Sequence, residues 1–334
     1  MNRRSFCAAL CATAFGATQL RVARAAEAAG ANANPFDFMN LLSQTGGGKQ
    51  FWADVWFFHD WRIQSNVVDG HYRLLDGKNH RHCSGTFDEC RGELDKISKR
   101  DKLQPMEGKA LVLLHGLFRT RTAMSSICKC VDTAGGYKTF CMGYPTTRGS
   151  VDSHARSLDS VVRSLEGMSE INFVAHSLGN LVVRHWLKNL EDEQRTLPAH
   201  QKFGRMVMLA PPNQHPEIAA KLIRGAVINY VAGPAATELA SGWENLSPKL
   251  ATPHFEFGIL AGGKGDGNGY NPLIPGDDDA VVTVESTKLA GARDFRVLPV
   301  LHTFFMDDKR AQELTLQFLN HGHFESDDKR QPVV

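Results

Sequence analysis

The chain has 334 residues, of which 42% are hydrophobic and 22% are charged. This length suits either two average domains or one large α/β domain, and the composition excludes a long disordered chain and a polytopic membrane protein. The net charge is +2, but the first 25 residues contain four arginines and no acidic residue, so the rest of the chain is slightly acidic. A basic surface for nucleic acid is therefore not expected.

The first 25 residues have the order of an export signal. Arg3 and Arg4 give a charged start, Phe6 to Thr18 are mostly small or apolar, and Ala23-Arg24-Ala25 is an A-x-A cleavage site. The apolar run is too short to cross about 30 Å of hydrocarbon. The paired arginines resemble a twin-arginine signal, so we expect a cleaved signal peptide and a periplasmic or extracellular protein. An ordinary Sec signal or an uncleaved anchor is the alternative.

The segment before the main body has two predicted parts. Residues 26–50 lack a sustained period and are expected to form a flexible lead-in. Residues 51–108 are expected to hold a hairpin and a loop insertion. Asp69-Gly70 stands between two apolar-rich runs within Val55–Leu75 and predicts the hairpin turn. Gly77–Leu103 is polar without a clear period, which predicts a long loop or a small insertion before the main body.

Five cysteines remain after cleavage of the signal, namely Cys83, Cys90, Cys128, Cys130 and Cys141. An odd number of cysteines cannot all pair within one chain. Cys83 and Cys90 lie in the polar stretch and could close a small ring in an oxidising compartment. Free thiols are the alternative, because a twin-arginine substrate folds in the reducing cytoplasm first.

From Lys109 onward, short apolar runs alternate with amphipathic stretches. The runs expected to form strands are Ala110–Leu114, Thr139–Met142, Ile171–Ala175, Met206–Ala210, Phe255–Leu260 and Phe295–Val300. Apolar residues recur at helical spacing over 151–165 and over 181–190. This order predicts parallel βαβ units and a doubly wound α/β sheet with helices on both faces. Ligands of such sheets bind at the carboxyl ends of the strands, where candidate residues are sought.

A serine stands at the turn between a predicted strand and a predicted helix. Ser177 is at the apex of Ala175-His176-Ser177-Leu178-Gly179, with small residues two positions to either side. This is the shape of a nucleophile elbow, although alanine replaces the usual glycine at the first small position. The helix directs its first amides at an oxyanion beside the serine, so Leu178 N–H is a predicted oxyanion donor. A serine that only caps the helix is the alternative.

The remaining parts of a serine hydrolase site follow other strands. His115-Gly116-Leu117-Phe118 comes after the first apolar run, and Leu117 N–H is the predicted second oxyanion donor. His302 directly follows the last run and is the only histidine at a predicted strand end after the aspartate loop, so it is the predicted base. A surface-loop histidine is the alternative. Asp277, Asp278 and Asp279 compete for the role of the acid.

With these motifs the chain resembles the α/β-hydrolase superfamily, nearest to small bacterial lipases and esterases with an Ala-His-Ser-x-Gly elbow. The resemblance covers about residues 109–320, followed by a polar tail over 321–334. It implies an α/β-hydrolase fold whose mostly parallel sheet carries the N-terminal antiparallel hairpin at its edge. The stretch between Ala210 and Phe255 is long enough for helices at Pro216–Arg224 and around Ala235–Ser241. These helices could form a small lid region, with packing of their apolar faces on the sheet as the alternative.

The same resemblance selects Asp279 as the acid. In this family the acid stands just before an aliphatic pair and ahead of a Leu-x-Gly-Ala turn, which Val281-Val282 and Leu289-Ala290-Gly291-Ala292 match. Asp277 and Asp278 are then solvated residues or neighbours of the site. Tyr144-Pro145 also matches the family but is given no chemical role.

The implied function is hydrolysis of carboxylic esters by a lipase or esterase through Ser177, Asp279 and His302. The expected partner is an ester or acyl-lipid substrate, with transient contact to a lipid surface left open and no nucleic acid or protein partner. No cofactor is expected, and structural calcium at Asp266, Asp277 and Asp278 is an alternative. The rival functions are acyl transfer to cell-envelope lipids and a catalytically silent binding protein on the same fold.

Overall fold

The computed structural model describes residues 48–214 and 233–334. The strands in these ranges are β1 (Trp52–Phe58), β2 (Trp61–Asn66), β3 (Tyr72–Leu75), β4 (Arg81–Gly85), β5 (Gly108–Leu114), β6 (Lys138–Met142), β7 (Met168–His176), β8 (Lys202–Leu209), β9 (Phe257–Gly262) and β10 (Asp294–Leu298). The helices are α1 (Phe87–Arg100), α2 (Ser125–Ala134), α3 (Val151–Ser164), α4 (Leu178–Asp192), α5 (Pro234–Ala240), α6 (Trp243–Leu246), α7 (Val284–Thr287) and α8 (Lys309–His321). The predicted signal peptide over 1–25, most of the predicted lead-in over 26–50 and the predicted helix Pro216–Arg224 lie outside the described residues.

The main sheet has six parallel strands in the order β10-β9-β8-β7-β5-β6. Each of the six predicted apolar runs forms one of these strands, which confirms the predicted α/β sheet. Alternate residues of β5 point to opposite faces, with Val112 in the core beneath α3 and α4 and Leu113 in the core beneath α2 and α8. Burial on both faces explains why these strands are continuous apolar runs.

The chain changes direction within this sheet between β5 and β7. It steps from β5 outward to β6, returns to the other side of β5 as β7, and then continues outward through β8, β9 and β10. Open α/β sheets bind ligands at such a switch point, outside the carboxyl ends of the strands. A functional site is therefore expected at the loops after β5 and β7.

The N-terminal strands form a separate antiparallel sheet in the order β1-β2-β3-β4. The predicted turn at Asp69-Gly70 does join two antiparallel strands, β2 and β3. The hairpin is not an added edge of the six-stranded sheet, as had been expected, because its strands pair with β1 and β4 instead. The bond from Asp54 N–H to the carbonyl of Gly143, at 2.8 Å, joins β1 to the segment after β6.

The predicted loop over Gly77–Leu103 is wrong, since it contains β4 and α1. Thr86 and Glu89 form a capping box that starts α1, in which each side chain accepts from the other residue's backbone N–H. Cys90, Leu94 and Ile97 form the buried face of this helix. Many of the other residues in this helix are charged, so its narrow apolar stripe is not apparent from the composition of the segment.

The structure contains a disulfide that the sequence did not suggest. Cys128 of α2 is bonded to Cys141 of β6, at a sequence separation of 13 residues. Cys83, Cys90 and Cys130 are free thiols, so of the two alternatives for Cys83 and Cys90 the structure has the free thiols and not the bond. The bond ties α2 to the edge strand of the main sheet.

The described part of the predicted lid packs on the core. The helix expected around Ala235–Ser241 is α5, whose Ala235 and Leu239 are buried in the core beneath α3 and α4. Glu238 accepts a hydrogen bond from Val151 N–H at 2.8 Å and so holds α5 at the start of α3. In residues 48–214 and 233–334, no helix is long and apolar enough to cross a membrane.

Candidate active site

Ser177 occupies the sharp turn between β7 and α4. Its backbone has φ 52° and ψ −120°, a combination that costs energy for any residue with a Cβ. The Ser177 N–H donates to the carbonyl of Leu209 at 3.0 Å, which fixes this conformation against β8. A Cβ on Gly179 would lie 2.8 Å from the Leu114 carbonyl oxygen, so the tight turn requires glycine there.

His302 and Asp279 form a buried pair at the same edge of the sheet. The Nδ1 of His302 lies 2.7 Å from Oδ2 of Asp279, and the His302 N–H donates to the Asp279 carbonyl at 2.9 Å. The other carboxylate oxygen accepts the N–H groups of Val281 and Val282 at 3.0 and 2.7 Å. The carboxylate thus orients the imidazole with Nδ1–H towards itself and leaves Nε2 as the nitrogen able to accept a proton.

The other two aspartates of the loop have different partners. Asp277 accepts the N–H groups of Lys264 and Gly265, both at 2.7 Å. Asp278 is fully buried and accepts from Ala280 N–H at 2.6 Å. Both carboxylates hold loop backbone, so Asp279 is the one of the three that contacts His302. In the part of the chain that the structure describes, no group of three or more His, Cys, Asp or Glu side chains is placed to hold a metal ion.

The residue before Ser177 brings the serine and His302 together. The Nε2–H of His176 donates to the His302 carbonyl at 2.9 Å, and the two imidazole centroids are 4.7 Å apart. His176 is buried, which lowers its pKa well below the ordinary value and keeps the ring neutral. Among the hydrogen bonds of the described residues, none joins Ser177 Oγ to His302. Such a bond often forms only when substrate is bound.

The loop after β5 lies against this elbow. A Cβ on Gly116 would be 3.1 Å from Ser177 Cβ and 2.9 Å from Nδ1 of His176, so only glycine allows this approach. The N–H groups of Leu117 and Leu178 donate to no acceptor within residues 48–214 and 233–334. An oxyanion hole requires two such backbone amides near the nucleophile. Leu178 directly follows Ser177, and Leu117 follows the glycine that lies against it.

Tyr144 is a contact of this site that the sequence alone does not assign. Its hydroxyl donates to the carbonyl of His115, and its ring stacks on the His115 ring with centroids 4.2 Å apart. The position of Tyr144 directly after β6, at the same carboxyl edge, is the signal that could have drawn attention to it.

One family of proteins matches part of this chain by sequence. The family described as "Alpha/beta hydrolase of unknown function (DUF900)" matches residues 134–229, which include β6, β7, α4 and the Ser177 turn. Together with the sheet order, this match identifies an α/β-hydrolase fold. No curated protein matches the sequence.

Several solved structures are also similar at low identity. An esterase from Pyrococcus furiosus is 12% identical over 80% of this chain and 91% of its own, with a TM-score of 0.45. An esterase from Thermogutta terrifontis is 12% identical over 65% of this chain and 91% of its own, with a TM-score of 0.41. A phospholipase from Legionella pneumophila, in complex with thio-NAD, is 19% identical over 54% of this chain, with a TM-score of 0.40. The match spans 44% of that phospholipase, which is less than half of its length.

Proposed function

We propose that this protein is a serine hydrolase of carboxylic esters, a lipase or esterase that acts through an acyl-enzyme. The observation that carries the proposal is the buried His302–Asp279 pair, at 2.7 Å, at the same sheet edge as the strained Ser177 turn. The nucleophile Ser177, the acid Asp279 and the base His302 also follow one another in the chain order of this class of enzyme.

In the first half of the reaction, Ser177 Oγ attacks the ester carbonyl carbon. His302 Nε2 takes the serine proton as the new C–O bond forms, and Asp279 stabilises the resulting imidazolium. The carbonyl oxygen becomes an oxyanion that accepts from the amides of Leu117 and Leu178. Each such donor contributes about 3 kcal/mol of transition-state stabilisation.

The second half returns the enzyme to its starting state. His302 gives its proton to the leaving alcohol as the ester C–O bond breaks, which leaves the acyl group on Ser177. Water then attacks the acyl carbon while His302 takes a proton from it. The acid product leaves when Ser177 Oγ recovers that proton.

An apolar rim supports an ester with an apolar acyl group as the substrate. Phe118, Val281 and Phe304 are exposed hydrophobic residues within two positions of Leu117, Asp279 and His302. The bond from Arg119 to the Thr303 carbonyl, at 3.4 Å, links the Phe118 loop to the Phe304 turn. Acyl transfer to a cell-envelope lipid would use the same acyl-enzyme with another acceptor in place of water.

Export by residues 1–25 is part of the proposal. The Cys128–Cys141 disulfide supports an oxidising compartment, because such bonds are rare in the reducing cytoplasm. Detection of a mature protein lacking residues 1–25 in the periplasm or medium would support export, and retention of the full-length chain in the cytoplasm would contradict it.

The direct test is labelling of the purified protein by a fluorophosphonate probe. We expect wild type to be labelled and Ser177→Ala and His302→Ala to lose the label. Ser84→Ala is the matched control, since Ser84 is an exposed serine of β4. If folded wild type is not labelled, the hydrolase proposal fails and the silent binding function replaces it. Labelled protein is then tested on p-nitrophenyl esters of increasing chain length, with and without an alcohol acceptor.

A further inference from the structure

The segment that follows β6 forms two hydrogen bonds with residues 115–118 of the loop after β5, which we call the oxyanion loop. The Tyr144 hydroxyl donates to the carbonyl oxygen of His115. The Thr146 hydroxyl oxygen accepts the N–H of Phe118 at 3.1 Å. These two bonds lie on either side of Leu117, and neither uses the Leu117 N–H.

Peptide planarity explains why these two bonds orient the amide between them. The His115 carbonyl belongs to the peptide that joins it to Gly116, and the Phe118 N–H belongs to the peptide that joins it to Leu117. The Leu117 N–H belongs to the single peptide between those two. The carbonyl of this central peptide, that of Gly116, also accepts the Arg119 N–H at 3.2 Å and lies 3.0 Å from His115 Nδ1. Fixing both flanking planes adds to these contacts and restricts the direction of the Leu117 N–H further.

The side chains of Tyr144 and Thr146, which form these two hydrogen bonds, are both buried. Tyr144 is 2% exposed and Thr146 is fully buried. Burial raises the pKa of the Tyr144 hydroxyl, so it remains a donor at any physiological pH. The stacked His115 ring is also buried, and burial lowers its pKa to about 4, so a neutral ring faces the tyrosine.

The N-terminal sheet is hydrogen-bonded to the segment that follows β6. The Gly143 N–H donates to Oδ2 of Asp54 at 2.6 Å, and the Asp54 N–H donates to the Gly143 carbonyl at 2.8 Å. Asp54 is fully buried and also accepts from the Gln64 side chain at 2.7 Å. Thus β1 fixes both backbone groups of the residue that directly precedes Tyr144.

We propose that Tyr144 and Thr146 are positioning residues that aim the Leu117 amide at the oxyanion, and that Asp54 of the N-terminal sheet anchors them. This inference rests on the proposed hydrolase function. It gives the 51–108 segment a role in catalysis that its sequence does not reveal.

The test compares variants that remove one hydroxyl each. For Tyr144→Phe and Thr146→Val we expect kcat on a p-nitrophenyl ester to fall about 10- to 100-fold with KM nearly unchanged, because the oxyanion contact forms only in the transition state. Affinity for a boronic acid, which mimics the tetrahedral intermediate, should fall in parallel. Thr146→Ser keeps the accepting hydroxyl and should retain activity.

Tyr137→Phe is the matched control. The Tyr137 hydroxyl also donates to a backbone carbonyl, that of Leu319 at 2.8 Å, but at the other end of the sheet. The Tyr137→Phe substitution should lower the free energy of unfolding without changing kcat or the affinity for the boronic acid. If Tyr144→Phe and Thr146→Val retain the kcat of an active wild type, or lose no more than Tyr137→Phe does, the positioning role is wrong. If wild type itself neither binds fluorophosphonate nor hydrolyses esters, the proposed function fails instead.

Discussion

Lowering the pH from 7 to 5 should destabilise the wild-type protein more than a His154→Gln variant. His154 on α3 is buried beside Tyr144, with ring centroids 5.0 Å apart. Burial lowers its pKa from the ordinary 6.5 to about 3. The folded protein therefore keeps this ring neutral throughout the pH range, whereas the unfolded chain protonates it.

The sign and size of the effect follow from this difference in proton binding. Below about pH 6.5 the unfolded state holds one more proton at His154 than the folded state, so the free energy of unfolding falls as the pH falls. The loss continues until the pH approaches the folded-state pKa of about 3. One proton changes the free energy by about 1.4 kcal/mol per pH unit, so His154 should cost about 2 kcal/mol between pH 7 and pH 5.

Urea unfolding at pH 7 and pH 5 measures this cost. The loss of unfolding free energy between the two pH values should be about 2 kcal/mol smaller in His154→Gln than in wild type, because glutamine does not titrate. Carboxylates and the other histidines contribute equally to both proteins and cancel. His200→Gln, at an exposed histidine, should lose as much as wild type. Equal losses in His154→Gln and wild type would refute the assignment of a neutral buried His154.

Three further predictions concern the site and the disulfide. Asp279→Asn should fold normally but lose about 10⁴-fold in kcat, measured by ester hydrolysis, because His302 is then held in the wrong tautomer. Gly116→Ala should slow fluorophosphonate labelling about 100-fold with little change in melting temperature, since its Cβ would push the oxyanion loop off the serine. Replacing Cys128 and Cys141 by serine should lower the free energy of unfolding in urea by about 3 kcal/mol, as expected for a closed loop of this length. An unchanged kcat in Asp279→Asn, an unchanged labelling rate in Gly116→Ala or an unchanged free energy of unfolding in the cysteine variant would contradict the corresponding prediction.

The sheet core and the order of the site residues were predictable because hydrophobic burial leaves a direct pattern in the sequence. The Ser177 turn is recognisable from local sterics, since small residues must flank it. The choice of Asp279 among three adjacent aspartates was not accessible to local reasoning. It depends on which carboxylate the loop turns towards His302, and the resemblance to a family supplied that choice.

The N-terminal region was predicted least well. The helix Phe87–Arg100 buries only a narrow stripe, so its capping box at Thr86 was a better signal than its composition. The Cys128–Cys141 bond links residues that come together only when α2 packs on the sheet edge, and spacing cannot reveal this. Contacts such as that of Tyr144 with His115 depend on the relative placement of two loops.

Buried charged side chains of the N-terminal sheet surround Asp54, which binds the residue before Tyr144. Asp54 lies 3.5 Å from Nε of Arg62, and its partner Gln64 accepts from Arg73 at 2.7 and 2.9 Å. Burial lowers the pKa of each of these two arginines to about 10, which shows how unfavourable their environment is for a cation. Loss of Asp54 would remove the carboxylate that lies nearest Arg62 and also stabilises the charge of Arg73, at a cost of about 3–5 kcal/mol. The same carboxylate accepts the Gly143 N–H, so the charged side chains that hold Asp54 in place also fix the acceptor that binds the residue before Tyr144.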